Sequence, residues 1–496
     1  MRVGCVGAVA LAAVTAEAGP KYVFFFLGDG MSASQIQATE AYLAKVNGGS
    51  ETDPAILAMN RLTMSGGAVC GMQTTYDDGS LCTDSASAGT AFACGTKTKS
   101  GVIGMNTALT ESYYSVAHAA QYYGKKVGIV SSVSIDHATP ASYYANVPSR
   151  NYMNKIAYQL TRTGFNFFGG GGFASPTGPK TAGDTAYNIW DELASQGYTV
   201  KNTRADILAL SAAPMDKVVC INPWLQDSAA MPYAIDTPPS NVTLAEMTQV
   251  AIDCLKDDPD GFFLMVEGGK IDWACHANDA MAAIGDMLAF DEAVAVAAAF
   301  YCQYPNDTLV IVTGDHETGG MSIGNARLAY GANYGVLTNQ TCSFQYFGAN
   351  QWAAYKAANP TNGQTAATMN IADEADGEAK ALFESCFGLV WTNLNAFEKE
   401  RLENAYDKAL GLGSPNTPQE DAMLYGGYDP MVVTLTHLVN ERAGIGWTSY
   451  SHTGQPIPVL AQGPGAWRFE GFYDNTDIAK KIATILGYTG TLPVAK

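Results

Sequence analysis

Ser85 stands in the stretch Thr83-Asp84-Ser85-Ala86-Ser87-Ala88-Gly89-Thr90, where small residues follow it for two turns and Phe92 is the first bulky side chain. That composition predicts a strand or loop running into a helix, with Ser85 near the helix N-terminus. There the unpaired backbone N–H groups and the helix dipole favour negative charge, such as a phosphate or a serine alkoxide. A serine is a weak nucleophile at its own pKa, so something must take its proton or mask its charge. No histidine is close in sequence and Asp84 precedes it, which suggests a metal rather than a triad base. Taken alone, these residues read more simply as a helix-capping serine. The rest of the chain changes that reading.

Four apolar runs, at 22–27, 126–133, 262–266 and 308–313, each lead into residues of ligand type. They are Asp29, then His137 with Thr139, then Glu267 with Asp272 and His276, then Asp315 with His316. A fully apolar strand with a carboxylate at its C-terminal end is the pattern of a buried parallel sheet with a site at its edge. Asp29 alone would serve equally as a cap for the helix expected over 32–46. Asp272 and His276 are four residues apart, so on a helical turn both face the same way. Carboxylate with imidazole is a zinc set, whereas an all-oxygen set of Asp, Glu and Thr suits magnesium. Of the six histidines, His276, His316 and His452 sit in short Gly-rich or polar segments, while His118 and His437 lie in helical stretches and read as structural.

The elements that must position these groups alternate along the chain. Helices are expected over 112–123, 152–163, 185–195, 244–256 and 280–301, with further strands at 165–168 and 217–221. Thr243 and Glu246 form a capping box for the fourth of these helices. The glycine run 169–172 is no dinucleotide fingerprint, since no G-x-G-x-x-G opens a helix there; a chain turn or close sheet packing accounts for it better. Repeated βα units predict an α/β fold with a doubly wound, mostly parallel sheet and helices on both faces. Residues 321–429 differ, being rich in Asn, Gly, Thr and Gln, with strand-like patches and one charged helix near 395–408. They are read as an inserted cap or crown subdomain, suited to gating the site or to subunit contact. The catalytic core is thus expected over 19–320 and 430–496, resuming with a helix at 431–442, a strand at 457–461 and a last helix at 477–486.

Composition bounds the partners. Of 496 residues, 47% are hydrophobic and 15% charged, against about 25% charged in ordinary soluble domains. The formal charge of −19 argues against a nucleic-acid partner. An anionic substrate would be repelled at long range too, unless a local cluster of metal cations and arginine overrode the field. Arg2, the apolar run 3–14 and Ala16-Glu17-Ala18 give residues 1–18 the pattern of a signal peptide, implying export to the periplasm or medium. No other stretch is long enough to span a bilayer. Cleavage would leave nine cysteines, an odd number. Cys70, Cys82 and Cys94 are spaced loosely enough to pair, but connectivity is not readable from sequence.

Together these residues resemble the alkaline phosphatase family. The matching motifs are Gly28-Asp29-Gly30-Met31, the Ser85 stretch, His137-Ala138-Thr139-Pro140-Ala141 and Glu267-Gly268-Gly269-Lys270-Ile271-Asp272. Thr313-Gly314-Asp315-His316-Glu317-Thr318-Gly319-Gly320 and Ser451-His452-Thr453-Gly454 complete the set in the family's order. The resemblance implies a phosphate monoesterase with two zinc ions and one magnesium, working through a phosphoserine on Ser85, in a homodimer. It places one zinc on Asp272, His276 and His452, and the other on Asp29, Asp315 and His316 beside Ser85. Magnesium would take Asp29, Thr139 and Glu267. Arg150 falls where the family grips phosphate with a guanidinium fork, a geometry lysine cannot match. Asp84, His137 and Trp273 would surround these groups. The last two depart from the best-known enteric pattern, which has aspartate and lysine there, and are similar to some marine-type bacterial members. The variant implies a weaker magnesium site and looser phosphate binding. A sulfatase would need Pro and Arg after its nucleophile. A phosphodiesterase of the same superfamily usually carries threonine and lacks the arginine. A non-catalytic zinc- or phosphate-binding exported protein would have no need of Ser85 between two metal sets.

Overall fold

The computed structural model describes residues 19–496 apart from 54, 65, 180, 182, 367, 370 and 372–376. The expected leader at 1–18 lies outside the described residues. Strand β1, Tyr22–Gly28, is buried along its whole length, because it lies inside a ten-stranded sheet. The other strands are β2 (Val69–Thr74), β3 (Lys126–Ser131), β4 (Phe167–Gly170), β5 (Thr199–Lys201), β6 (Val218–Ile221), β7 (Phe262–Gly268), β8 (Thr308–Gly314), β9 (Ile457–Gln462) and β10 (Gly471–Asp474). Their order across the sheet is β10-β2-β9-β8-β1-β7-β3-β4-β6-β5. Every pairing from β8 through β5 is parallel, whereas β9 runs antiparallel to both β8 and β2. The expected doubly wound, mostly parallel sheet is what the chain forms.

Side chains alternate across this sheet. Val23, Phe25 and Leu27 enter one core with helices α2 (Ser85–Cys94) and α8 (Thr476–Ile485). Phe24 and Phe26 enter the other with α4 (Leu244–Leu255) and α6 (Ala280–Gln303). A period of two on a strand buried on both faces leaves no polar position, hence the unbroken apolar run. Each buried phenylalanine contributes about 1.5–3 kcal/mol. The remaining helices used below are α1 (Ala33–Val46), α3 (Ala138–Ala141), α5 (Lys270–His276) and α7 (Pro430–Ala443).

Register aligns the functional edge. Gly28 of β1 lies opposite both Gly268 of β7 and Gly314 of β8, and Ser131 of β3 lies opposite Glu267. Asp29, Glu267 and Asp315 therefore emerge at one level from three adjacent strands. The close backbone approach needs glycine at 314, where a Cβ would stand 2.1 Å from the Met31 carbonyl oxygen. The run 169–172 follows the same logic: β4 extends into it, and a Cβ at Gly170 would stand 1.8 Å from the Ser131 carbonyl oxygen.

Some local expectations differ from the structure: the helix expected over 185–195 begins only at Ile189, behind the Asn188 cap. The helix placed at 112–123 begins only at Val116, because Tyr113–Tyr114 pairs with Val494–Ala495 and Ser115 caps the helix behind them. The strand-like patches of 321–429 are largely helical: Phe347, Trp352, Tyr355, Phe383, Leu402 and Tyr406 build a third hydrophobic cluster with α1, α6 and α7. A short strand, Ser322–Ile323, pairs with Ile445–Gly446 and ties the start of this region to the end of α7.

Candidate active site

Helix α5 opens directly after β7 and carries Asp272 and His276 on one face. His452 arrives from a two-residue bridge in which His452–Thr453 pairs with Glu317–Thr318. Asp272 Oδ1 lies 3.4 Å from the Nε2 atoms of both histidines, which are themselves 3.1 Å apart. Each ring is oriented by its other nitrogen. His276 Nδ1 meets the Tyr450 carbonyl at 2.6 Å, and His452 Nδ1 meets the Thr83 carbonyl at 2.7 Å. With Nδ1 carrying the hydrogen, both Nε2 lone pairs point at one small space beside a carboxylate, as zinc ligation requires.

A second cluster joins Asp29, Asp315 and His316, all fully buried. His316 Nε2 stands 3.5 Å from Asp29 Oδ1, 3.3 Å from Asp315 Oδ2 and 3.4 Å from Ser85 Oγ. Ser85 is the first residue of α2 rather than its cap. Asp84 caps the helix instead, its Oδ1 accepting from the Ser87 amide at 2.9 Å. Freed from capping, the serine hydroxyl faces the cluster. Nor does Asp29 cap α1, a task Ser32 performs in a capping box with Gln35.

Asp29, His137 and Glu267 converge in a third cluster. Thr139, in α3, lies beside Glu267, and the Ser131 hydroxyl donates to Glu267 Oε2. His137 thus joins the group in which Asp29, Thr139 and Glu267 were expected. Its ring packs edge-on against Trp273 with centroids 5.6 Å apart, and the buried Lys270 ammonium lies over both Trp273 and Tyr233. Arg150 spans the mouth of this region. Its Nη1 donates to Asp84 Oδ2 at 3.0 Å and its Nη2 lies 3.2 Å from His137 Nε2.

The electrostatics of these clusters are those of buried acids and imidazoles crowded together. Burial, reinforced by the Asp315, Asp272 and Glu267 charges, pushes the Asp29 carboxyl well above the usual range. Burial also pushes Glu267 up to about 8 and Asp315 up to about 7. Asp272 goes the other way: despite its burial, His276 and His452 hold it well below the carboxylate range. Against the effect of burial, Asp272 raises His276 to about 9. Neither oxygen of Asp29, nor Glu267 Oε1, nor Asp315 Oδ2 has a hydrogen-bond donor among the described residues. Buried charge of this kind is costly unless a cation partners it. Two His/Asp sets fit zinc, and the third, richer in oxygen, fits magnesium, with His137 a less usual neighbour for that ion.

Several groups orient these ligands, and their tasks depend on contacts between segments remote in the chain. Glu317 is fully buried and accepts from the Gly320 and Met321 amides and from Gln35 Nε2. It also accepts from Thr453 Oγ1, which fixes the bridge that presents His452. Thr318 Oγ1 donates to Asp272 Oδ1. His437, expected to be structural, meets Asn278 Oδ1 at 3.0 Å, and Asn278 donates to the Ser449 carbonyl near the His276 support. His118 completes the capping box of its own helix.

The family model described as "Alkaline phosphatase" matches residues 20–488. Alkaline phosphatase 3 of Bacillus subtilis (strain 168) is 32% identical over 94% of this chain and 89% of its own length. The crystal structure of Thermus thermophilus alkaline phosphatase superposes with a TM-score of 0.74 at 27% identity, covering 96% of this chain and 93% of that one. A cold-active alkaline phosphatase from the psychrophile Shewanella sp. gives 0.71 at 26% identity, over 94% of this chain and 99% of that one.

Proposed function

The chain belongs to the alkaline phosphatase family and is a phosphomonoesterase, and from that premise we propose how its residues divide the work. Asp272, His276 and His452 hold one zinc; Asp29, Asp315 and His316 hold a second; Asp29, Thr139 and Glu267 hold magnesium with His137 beside it. When bound, these ions supply Lewis-acid charge for the attacking, leaving and transferring oxygens of an in-line displacement.

Ser85 Oγ is the nucleophile. The observation that carries this assignment is its place at the first position of α2, free of capping, 3.4 Å from His316 Nε2 in a fully buried carboxylate–imidazole cluster. Attack on phosphorus forms an ester to Ser85 and expels the alcohol, and water then releases inorganic phosphate. The first amides of α2 present the positive end of the helix to the transferring phosphoryl group. Arg150 supplies guanidinium N–H donors to the phosphoryl oxygens, and Asp84 holds the guanidinium in place before substrate arrives. This local positive charge offsets the long-range repulsion of a −19 chain.

We further propose export after removal of 1–18, a homodimeric assembly, and a chain divided into a core at 19–320 and 430–496 and an insertion at 321–429 beside the site. Support for the last is Tyr450, whose carbonyl orients His276 while its ring packs 6.1 Å from Tyr428 at the end of the insertion. Hydrolysis of a chromogenic monoester and its diester analogue, before and after chelation, tests the proposal. Monoester turnover that falls with chelator and returns with zinc supports it. Preference for the diester, or turnover indifferent to metal, contradicts it.

A further inference from the structure

Cys342 and Cys386 are 6% and 5% exposed and belong to the third hydrophobic cluster. They come from segments far apart in the chain, Cys342 just after a short 3-10 helix at Tyr334–Asn339 and Cys386 in the last turn of the helix Gly377–Phe387. Two hydrogen bonds set these segments side by side. The Thr341 amide donates to the Cys386 carbonyl at 3.0 Å, and Thr341 Oγ1 donates to the Ser385 carbonyl at 3.1 Å. Gln340 Nε2, bound to Asp279 at 2.8 Å, donates to the Cys342 carbonyl at 3.0 Å and anchors that side to α6. The main chains of the two cysteines are thus held side by side, and both thiols, free in this structure, are buried in the same cluster. Ser385 Oγ lies 3.7 Å from Cys386 Sγ.

We propose that Cys342 and Cys386 are a disulfide site that closes the chain between residues 342 and 386 and locks two segments of the 321–429 region together. A disulfide needs main chains already held near their final separation, and the Thr341 bonds supply that. The exchange opens at one cysteine, for example Cys386. Its thiolate attacks a disulfide donor, either a small-molecule disulfide or an oxidised dithiol protein, and releases one donor thiol. Cys342, on losing its proton, attacks Cys386 Sγ in the mixed disulfide and releases the second. Two electrons pass to the donor, and its two sulfurs leave as thiols. Both cysteines are buried in the folded chain, so the exchange takes place as the segment folds.

Peptide mapping of the full-length protein tests this. The protein is secreted from a host whose export route supplies disulfide donors, kept free of reductant, alkylated under denaturing conditions and digested. A Cys342–Cys386 cross-linked peptide that separates on adding dithiothreitol is the expected result. Recovery of both cysteines as separately alkylated peptides, or as adducts of a small thiol, would overturn the proposal. Reduction should also lower Tm by about 4 °C, and the C342S/C386S double variant should abolish that response. A reductant-dependent shift that survives in the double variant would assign it to other cysteines and equally overturn the proposal.

Discussion

His276 and His452 aim their Nε2 atoms at each other across 3.1 Å while each ring is anchored through Nδ1 to a backbone carbonyl, Tyr450 for one and Thr83 for the other. Two lone pairs at that distance repel unless a proton or a cation lies between them. Asp272, 3.4 Å from both, completes a three-ligand cradle. The anchoring carbonyls belong to segments remote from each other, one preceding Ser85 and one preceding His452. The proposed zinc cradle and the approach to Ser85 therefore share one piece of backbone.

Thr318 holds Asp272 in this cradle through its hydroxyl. Thr318→Val should weaken zinc binding by about 10–100-fold, the usual cost of losing a group that orients a metal ligand. Thr318→Ser should retain affinity. Zinc titration against a competing chelator reads both, and an unchanged affinity in the valine variant would remove Thr318 from the account.

Without metal, the buried acids make stability depend on pH in a fixed direction. Glu267, at about 8, and Asp315, at about 7, bind protons more tightly folded than unfolded, and so does His276 at about 9. Their contribution is complete below the unfolded values, near 4 for the acids and 6.5 for histidine, and is lost as pH rises through the folded values. Asp272, held low, has the opposite sign but acts only below about pH 4, and His316, held well below its ordinary value by burial, opposes the trend only up to about pH 6.5. The Tm of chelated protein should therefore fall steadily between pH 5 and 9. Zinc should abolish or reverse that slope, and a chelated protein more stable at pH 8 than at pH 5 would contradict the reading.

Arg150 is tethered by Asp84, which also caps α2. Arg150→Ala should lower kcat/KM for monoesters by about 10–100-fold, the range for lost charge-assisted hydrogen bonds. Arg150→Lys should restore little of it, because a point charge cannot make the paired donation. Full recovery with lysine would show that charge alone suffices.

His137 and Trp273 touch each other, and His137 reaches Arg150. Replacing them with His137→Asp and Trp273→Lys puts a carboxylate beside Glu267 and a cation beside the phosphate pocket. Magnesium retention through dialysis should increase, and the inhibition constant for inorganic phosphate should fall. If neither moves, these two side chains do not set product affinity.

The fold was legible where burial leaves one kind of residue. Strands β1, β7 and β8 carry unbroken apolar runs because helices cover both their faces. Strands β2 and β10 escaped notice: they lie at one edge of the sheet, half exposed, with Met72 and Phe472 facing outward, so no run marks them. In 321–429 strand-like patches are expected, yet Trp352, Tyr355 and Phe383 belong to helices buried in the third cluster. At the site, acids and histidines at strand ends were readable because side-chain chemistry is written in the sequence. The Thr83 and Tyr450 carbonyls were not, since every residue has one and only the fold selects which matters. Glu317 stands within a motif, but its task of holding the His452 bridge depends on a contact between strands far apart in the chain.

The central claim is that Ser85 receives the phosphoryl group. Enzyme mixed with a radiolabelled monoester and quenched in acid should carry label on one peptide, containing Ser85, with Ser85→Ala unlabelled and nearly inactive. Label on another residue, or full turnover in Ser85→Ala, would contradict it.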